Sequence, residues 1–256
     1  MRVSIIGSGN VATHLSAALK NAGHHIIQVY SLNQQNAGLL AYHVKAEAIS
    51  HIAQINADTD MFIIAAKDDA IESIAKQLAS YQKLIVHTSG ATAMDVILKY
   101  NLQAGILYPL QTFSKTRELD FKQVPLCIEG STEDITIRLE QLAHTISKHV
   151  SRVNSSERKI LHLAAVFACN FSNHLYAIAQ VLLVENGLDF NLLKPLILET
   201  AQKVMESSPV KVQTGPAIRN DKKTMKAHLG LLDRHPPLQQ LYEVLSQSII
   251  KMGNGG

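Results

Sequence analysis

The sequence predicts an α/β domain with a parallel sheet, followed by an all-helical domain. In the first half, short apolar runs alternate with helical patterns, as expected for a sheet covered by helices on both faces. After residue 153 no further strand pattern occurs, and long helical patterns fill the rest. The chain has 256 residues, 46% of them hydrophobic, which is enough for two modest domains. We therefore predict domains at residues 1–153 and 154–256.

The strands of the first domain are short apolar runs between polar or turn-forming residues. They are predicted at residues 3–6, 25–30, 61–65, 84–87, 104–107 and 125–128, with 149–153 as a final strand or a linker. Helices are predicted at residues 11–21, 70–79 and 132–148. Asp68 and Asp69 precede the second of these helices and suit its N-cap.

The second domain is predicted to contain helices at residues 156–185, 191–206 and 237–251, with 253–256 as a frayed tail. Between 160 and 184 no charged side chain occurs, and such a run is long enough to cross a bilayer. Its polar centre, residues 170–174, would be costly in lipid. We therefore expect a helix buried among other helices, with no membrane partner, and a homodimer that helps to cover it.

Charge and cysteine content argue against several classes of protein. The net charge of +3 comes from 24 basic and 21 acidic residues without a long run of either sign. The densest basic stretch, 219–226, lacks interleaved aromatics, so nucleic-acid binding is not expected. Cys127 and Cys169 lack the spacing of zinc or redox motifs, and both are expected to be buried. No metal is expected, and a first strand starting at Arg2 leaves no room for a leader, which predicts the cytoplasm.

A glycine motif directly follows the first strand and opens a helix. It reads Gly7-Ser8-Gly9-Asn10-Val11-Ala12, which matches the dinucleotide signature G-x-G-x-x-A. Gly7 permits a tight turn, Gly9 lets the backbone approach a pyrophosphate, and Ala12 allows close packing of the helix. The free amides at the helix start attract the anion. The motif predicts a Rossmann domain in which residues 7–11 bind the cofactor phosphates.

The end of the second strand indicates which dinucleotide is bound. NAD-binding domains place a carboxylate here for the ribose hydroxyls, whereas this chain has Ser31, Leu32, Asn33 and Gln34. These neutral groups can bond a 2′-phosphate, which favours NADP(H). Ala66 and Lys67, after the third predicted strand, are expected beside the ribose or a phosphate, although Lys67 also fits an exposed loop.

Several segments together resemble a known group of proteins. They are the glycine motif and residues 68–71, 87–91, 109–113, 129–130, 165–171 and 214–216. The chain resembles Rossmann-like bacterial proteins with a helical C-terminal domain of unknown function, related to pyrroline-5-carboxylate reductase, ketopantoate reductase and the 6-phosphogluconate dehydrogenase superfamily. The resemblance implies an NADP-binding Rossmann domain and an all-α 6-phosphogluconate-dehydrogenase-C-terminal-like domain that dimerises. Two residues depart from the family pattern, Tyr108 in place of a histidine and Lys67 in place of a proline.

Hydride transfer requires groups that orient the substrate and supply one proton. Ser89 follows a predicted strand and resembles the substrate-binding serine of hydroxyacid dehydrogenases, although a strand-ending turn explains it as well. On the long helix, His162 and Asn170 are expected about 80 degrees apart and roughly 12 Å along the axis. Related dehydrogenases place a lysine four residues before this asparagine, where Val166 stands here. His162 is therefore the candidate proton donor and Asn170 the candidate hydrogen-bond donor, although both also fit structural polar residues.

Four further residues are candidates for substrate contacts: Tyr108, Gln111, Thr214 and Arg219. Arg219 can bind a carboxylate through two parallel hydrogen bonds, although a structural cap is an alternative. The predicted function is an NADP(H)-dependent oxidoreductase that acts on a small oxo acid (ketopantoate-like) or a cyclic imine (pyrroline-like). A non-catalytic dinucleotide-binding sensor or scaffold is the alternative, because the family's lysine is missing.

Overall fold

A computed structural model describes residues 1–253 and contains an eight-stranded sheet followed by helices. The strands are β1 (Arg2–Ile6), β2 (His25–Tyr30), β3 (Glu47–Ile49), β4 (Met61–Ile64), β5 (Leu84–His87), β6 (Ala104–Pro109), β7 (Leu126–Gly130) and β8 (Val150–Arg152). Their order in the sheet is β3-β2-β1-β4-β5-β6-β7-β8. All neighbouring strands run parallel except β6 and β7, which are antiparallel.

The helices follow the strands in the order expected of repeated β-α-β units. They are α1 (Asn10–Asn21), α2 (Gln34–Val44), α3 (Asp68–Leu78), α4 (Asp95–Leu98), α5 (Glu133–Ile146), α6 (Ser155–Ala165), α7 (Ser172–Glu185), α8 (Lys194–Glu206), α9 (Lys222–Leu231) and α10 (Pro236–Gly253). A π-helical turn, Val166–Phe171, joins α6 to α7. The chain divides into two compact units, Met1–His174 and the part that begins at Leu175.

The core of the first unit lies on both faces of the sheet. Helices α1, α2 and α5 cover one face, where Leu15, Leu40 and Leu139 are buried. Helices α3 and α4 cover the other face, where Ile71 and Ile97 are buried. Strands β4, β5 and β6 are buried along their whole length. Their unbroken apolar runs follow from this cover on both sides.

The predicted α/β fold with a helical C-terminal region is confirmed, with differences in detail. Elements α2, β3, α4 and α9 are missing from the sequence-based prediction. Strand β3 has only three residues and α4 only four, and α2 contains a glycine and an asparagine, which weaken a helical pattern. The prediction of a wholly parallel sheet is wrong at β7. Asp68 and Asp69 do not cap α3 but lie in its first turn, where they still favour the positive end of the helix dipole.

The long helical segment from α6 to α7 is largely exposed to solvent in a single copy of the chain. By length and composition Ser155–Glu185 could cross a membrane. Arg158 is its only buried residue, whereas Phe167 and Val184 are 63% and 65% exposed. The other helices of one copy therefore do not cover this segment, and its burial among helices stays a prediction that depends on the expected homodimer.

Two smaller predictions also change in the described residues. Cys169 lies on the π-helical turn and is exposed, whereas Cys127 on β7 is buried as expected. Gly253, predicted to begin a frayed tail, is the last residue of α10. The rest of that predicted tail, 254–256, lies outside the described residues.

Candidate functional site

The turn after β1 requires a glycine at position 7. Gly7 has φ +130°, and a Cβ there would collide with the backbone carbonyl of Ala65. The Gly7 N–H donates to the carbonyl of Tyr30 over 2.7 Å. The turn is thereby held at the carboxyl edge of the sheet, where β1, β2 and β4 end.

The start of α1 is suited to bind an anion. Its N-cap, Gly9, provides no side-chain bond to the helix amides, and its first turn contains no acidic residue. A Cβ at Gly9 would meet no atom within 4 Å. Ala12 is fully buried and lets the helix pack closely on the sheet. The amides of Asn10 and Val11 and the positive end of the helix dipole therefore fit the pyrophosphate of a dinucleotide.

The polar residues after β2 hold the turn that leads into α2. Ser8 Oγ donates to Ser31 Oγ over 2.8 Å, and Gln34 Nε2 donates to the Ser31 carbonyl over 2.8 Å. The side-chain oxygen of Asn33 accepts from the N–H of Asn36 and so caps α2. The Asn33 amide group and the hydroxyl hydrogen of Ser31 are still available as donors. No carboxylate occurs in residues 30–36, so the segment fits a 2′-phosphate.

The loop after β4 contains the last two predicted cofactor residues. Ala66 is half-buried, and Lys67 is exposed and takes the N-cap position of α3 without a side-chain cap bond. Both follow the strand next to β1, at the same edge of the sheet as the glycine turn. The ammonium group of Lys67 is thus available to a phosphate, and its exposure fits a solvated loop residue equally well.

Ser89 closes the turn that follows β5. Its Oγ accepts from the N–H groups of Ala91 and Thr92 over 3.1 and 2.9 Å, and its own N–H donates to Nδ1 of His87 over 3.1 Å. Burial, and then the charge of Arg158, lowers the pKa of His87 to about 4. His87 is therefore neutral and serves as an acceptor that shapes the turn. The hydroxyl hydrogen of Ser89 is still available to a substrate.

Tyr108 and His162 form a pair at the carboxyl ends of β5 and β6. The Tyr108 hydroxyl lies 3.1 Å from Nδ1 of His162, and the two rings meet edge to face. A Cβ at Gly90 would lie 2.6 Å from that Nδ1 and 2.8 Å from Cζ of Tyr108. Both rings thus pack directly on the backbone of the loop after β5. Burial raises the pKa of Tyr108, so its hydroxyl stays protonated.

Arg158, which was not predicted, attaches α6 to the sheet. It is fully buried, and its Nη1 donates to Glu129 on β7 over 2.6 Å. Its Nη2 donates to the carbonyl of Thr92 over 2.7 Å and to Ser155 Oγ over 3.2 Å. Because His162 lies one turn further along α6, this cluster fixes the helix turn that presents His162. The sequence gives little signal for this role, because Arg158 stands in the charged run from Glu157 to Lys159, and only Glu129 lies in one of the resembling segments.

Asn170 lies on the π-helical turn and is exposed, so it is not the buried asparagine that was considered. An i→i+5 turn takes up one residue more than an α-helical turn. One full extra residue would reduce the angle between His162 and Asn170 from about 80 to about 20 degrees. The expected separation is thus corrected, and Asn170 is rotated toward the helix face of His162.

The remaining predicted substrate residues lie on exposed segments. Gln111 is exposed and accepts through Oε1 from the N–H of Thr112 over 2.8 Å. Thr214 and Arg219 are exposed and belong to the second unit. Near them Asp221 caps α9, and its pKa is lowered chiefly by the N–H of Thr224 and less by Arg219. Ser89, Tyr108 and His162 come together in the first unit.

Comparison with known proteins identifies both halves of the chain. The family model described as "Rossmann-like domain" matches residues 1–111, and the one described as "Domain of unknown function (DUF2520)" matches residues 124–249. A solved structure from Bacteroides fragilis, provisionally named an NADP oxidoreductase, is 43% identical with a TM-score of 0.92, and the match covers 98% of each chain. No protein of curated function matches the sequence.

More distant structures share the fold. An imine reductase from Myxococcus stipitatus, solved in complex with NADP+, is 12% identical with a TM-score of 0.72, over 100% of this chain and 95% of that one. A 1-pyrroline-5-carboxylate reductase from Streptococcus pyogenes is 14% identical with a TM-score of 0.62, over 98% of each chain. The order of the two matched domains and the 43% identity lead to one conclusion. The chain belongs to the family of Rossmann-like proteins that carry the helical domain of unknown function DUF2520.

Proposed function

We propose that this protein is an NADP(H)-dependent oxidoreductase that acts on a small oxo acid or a cyclic imine. The observation that supports it most is the uncapped, acid-free start of α1 behind Gly7. In open α/β sheets a dinucleotide extends along the carboxyl edge. The Tyr108 and His162 pair lies at this edge, at the ends of β5 and β6. The provisional name of the Bacteroides fragilis relative agrees with this proposal.

Each group of residues has a separate task in this proposal. The amides after Gly7 and Gly9 bind the pyrophosphate, while Ser31, Asn33 and Lys67 bind the phosphorylated ribose. When bound, the nicotinamide supplies the hydride. Ser89 and Asn170 orient the C=O or C=N group by hydrogen bonds, and His162 supplies the proton that the new alkoxide or amine nitrogen takes up.

Substrate specificity is assigned to more exposed residues. Gln111 and Thr214 provide polar contacts, and Arg219 binds a carboxylate of the substrate with two hydrogen bonds. A carboxylate is present in oxo acids and in pyrroline carboxylates, so both substrate classes fit. Replacing Arg219 with glutamine should raise KM for such a substrate and leave the affinity for NADPH unchanged.

A homodimer is part of the proposal. A monomeric protein rarely exposes a large continuous apolar patch. The segment from α6 to α7 exposes eight large hydrophobic side chains, which supports a dimer: Ile160, Leu163, Phe167, Phe171, Leu175, Tyr176, Val181 and Val184. We also propose a cytoplasmic protein with a small-molecule substrate. Sedimentation at micromolar concentration should show a dimer, and a monomer alone would contradict this part.

The test is turnover. NADPH oxidation, followed by absorbance across a panel of oxo acids and cyclic imines, should be stimulated by at least one compound. The matched control is Gly9→Ala, which crowds the pyrophosphate site while leaving the Tyr108 and His162 pair unaltered. Stimulation that persists unchanged in this variant would contradict the assigned cofactor site.

A sensor or scaffold that binds the dinucleotide without turnover is the second candidate. Two observations favour it: Val166 stands where related dehydrogenases have a lysine, and the Ser89 hydroxyl already accepts two hydrogen bonds from its own turn. Tight binding of NADPH without oxidation by any compound of the panel would support this function over the enzyme.

A further inference from the structure

We propose that Tyr108 is a positioning residue for His162, which keeps Nδ1 engaged so that the proton leaves from Nε2. The inference rests on the proposed function. To that function it adds two details: Nε2 is the atom of His162 that faces the substrate, and Tyr108 is the residue that determines this. The starting observation is the distance of 3.1 Å between the Tyr108 hydroxyl and Nδ1.

A tyrosine hydroxyl can serve both charge states of a histidine. When the imidazole is neutral, the hydroxyl donates to Nδ1 and leaves the ring hydrogen on Nε2. When the imidazole is cationic, both nitrogens carry hydrogen, and Nδ1 donates to the hydroxyl oxygen. The contact therefore survives the gain and loss of a proton. A carboxylate in place of the hydroxyl could accept but not donate at neutral pH.

The other nitrogen is left for the substrate. Within residues 1–174, the structure gives His162 a hydrogen bond through Nδ1 and none through Nε2. The ionisable groups that act on Tyr108 from neighbouring elements are Cys127 on β7 and Arg158 on α6. Neither replaces Tyr108 as a partner, because Arg158 is bound to Glu129 and Thr92.

The proton step is balanced as follows. The hydride adds to the carbon of the C=O or C=N group, and the bond between Nε2 and its hydrogen breaks as an O–H or N–H bond forms. The imidazolium becomes neutral with its remaining hydrogen on Nδ1, which donates it to the Tyr108 oxygen. Before the next turnover solvent supplies a proton to Nε2 and re-forms the imidazolium. In the resting neutral protein, exchange with solvent places the single hydrogen on Nε2, and the Tyr108 hydroxyl donates to Nδ1.

Gly90 makes this arrangement specific. Both rings rest on its backbone, and a Cβ there would lie 2.6 Å from Nδ1 and 2.9 Å from Cγ of His162. The imidazole is thus held between the loop after β5 on one side and the Tyr108 ring on another. Its orientation is set by contacts that do not involve a substrate.

The test requires no substrate. The full chain is labelled with ¹⁵N-histidine, the signal of His162 is assigned by its absence in His162→Gln, and two-bond ¹H–¹⁵N spectra are recorded between about pH 5 and 9. The neutral imidazole should carry its hydrogen on Nε2. In Tyr108→Phe, which removes one oxygen, we expect a mixture of tautomers and a changed titration. Tyr81→Phe is the control, because the Tyr81 hydroxyl bonds the carbonyl of Ile52 over 3.1 Å away from the pair.

Two results for the substrate-free protein at equilibrium would overturn the inference: a neutral His162 with its hydrogen on Nδ1, or an unchanged tautomer in Tyr108→Phe. Failure of turnover with every substrate would instead overturn the proposed function. With an active substrate, Tyr108→Phe should lower kcat about threefold to tenfold, as for the loss of one hydrogen bond, and shift the pH profile. KM should change less than twofold, and Tyr81→Phe should leave both constants unchanged.

Discussion

The two ends of the candidate site are built from different parts of the chain. At β1 and α1 the groups that would meet the cofactor are backbone amides, and they depend on the absence of side chains at Gly7 and Gly9. At β5, β6 and α6 the groups are side chains, and they depend on the buried pair of Arg158 and Glu129. At the first end an added methyl group strains the turn at Gly7 and takes cofactor space at Gly9, whereas at the second end a lost side chain removes hydrogen bonds between elements. Substitutions at the two ends should therefore fail in different ways.

The largest effect is expected at Arg158. Arg158→Met leaves the half-buried Glu129 and the Thr92 carbonyl without their partner and should lower the free energy of unfolding by about 3–5 kcal/mol. Urea denaturation measures the change. The control, Lys159→Met, removes the same charge from the next, exposed position of α6 and should have little effect. Equal losses in the two variants would show that the buried pair does not hold α6.

His87 should make the side-chain end sensitive to acid. Folding lowers its pKa from 6.5 to about 4, so below about pH 6.5 the unfolded chain binds a proton that the folded chain does not. Stability should be unaffected above that range and should fall as pH drops toward 4, by up to about 3 kcal/mol in total. Urea midpoints at several pH values should flatten in His87→Asn but not in the exposed His25→Asn. A pH dependence unaltered by His87→Asn would refute this.

The backbone end should respond to a single methyl group. Gly7→Ala forces a positive φ on a residue with a side chain and should cost about 1–3 kcal/mol of stability, along with NADPH binding. Gly9→Ala meets no atom of the protein and should leave stability nearly unchanged while still weakening NADPH. Calorimetric titration and thermal unfolding separate the two effects. If Gly9→Ala bound NADPH normally, the pyrophosphate would not lie over α1.

The smallest effect concerns the choice of dinucleotide. Ser31→Asp places a negative charge where a 2′-phosphate is expected and should shift the ratio of NADPH to NADH affinity by about tenfold or more. Gln77→Glu adds the same charge on the exposed face of α3 and serves as the control. Wild-type protein that binds NADH as tightly as NADPH would contradict the assignment of this segment.

The cofactor end of the candidate site could be predicted from the sequence because its residues lie within one six-residue motif. Gly7, Gly9 and Ala12 are needed by one turn and one helix start, so their spacing alone indicates their task. The contacts of Tyr108 with His162 and of Arg158 with Glu129 join residues from different elements. No local pattern reports which of these side chains meet, and His162 alone could be named only as a nearby titratable group.

Helix periodicity left two features of the long helix undetermined. The pattern from 156 to 185 correctly indicated a long helix. Periodicity, however, shows which face of a helix is apolar and does not show whether another element packs against that face. It also assumes a constant rotation per residue, which Val166–Phe171 does not obey. The angle between His162 and Asn170 was therefore outside the reach of a count along the sequence.

The π-helical turn changes how this helix is to be aligned with any sequence whose helix lacks such a turn. Across an i→i+5 turn, the residue one turn before Asn170 is Ala165, and Val166 falls between turns. An alignment that places Asn170 on the asparagine of a relative with an unbroken α-helix must therefore open a gap of one residue before it. With that gap the lysine position of the relative falls on Ala165, whose side chain cannot ionise either. Going back along the same face, the first ionisable side chain is then His162, two turns from the asparagine.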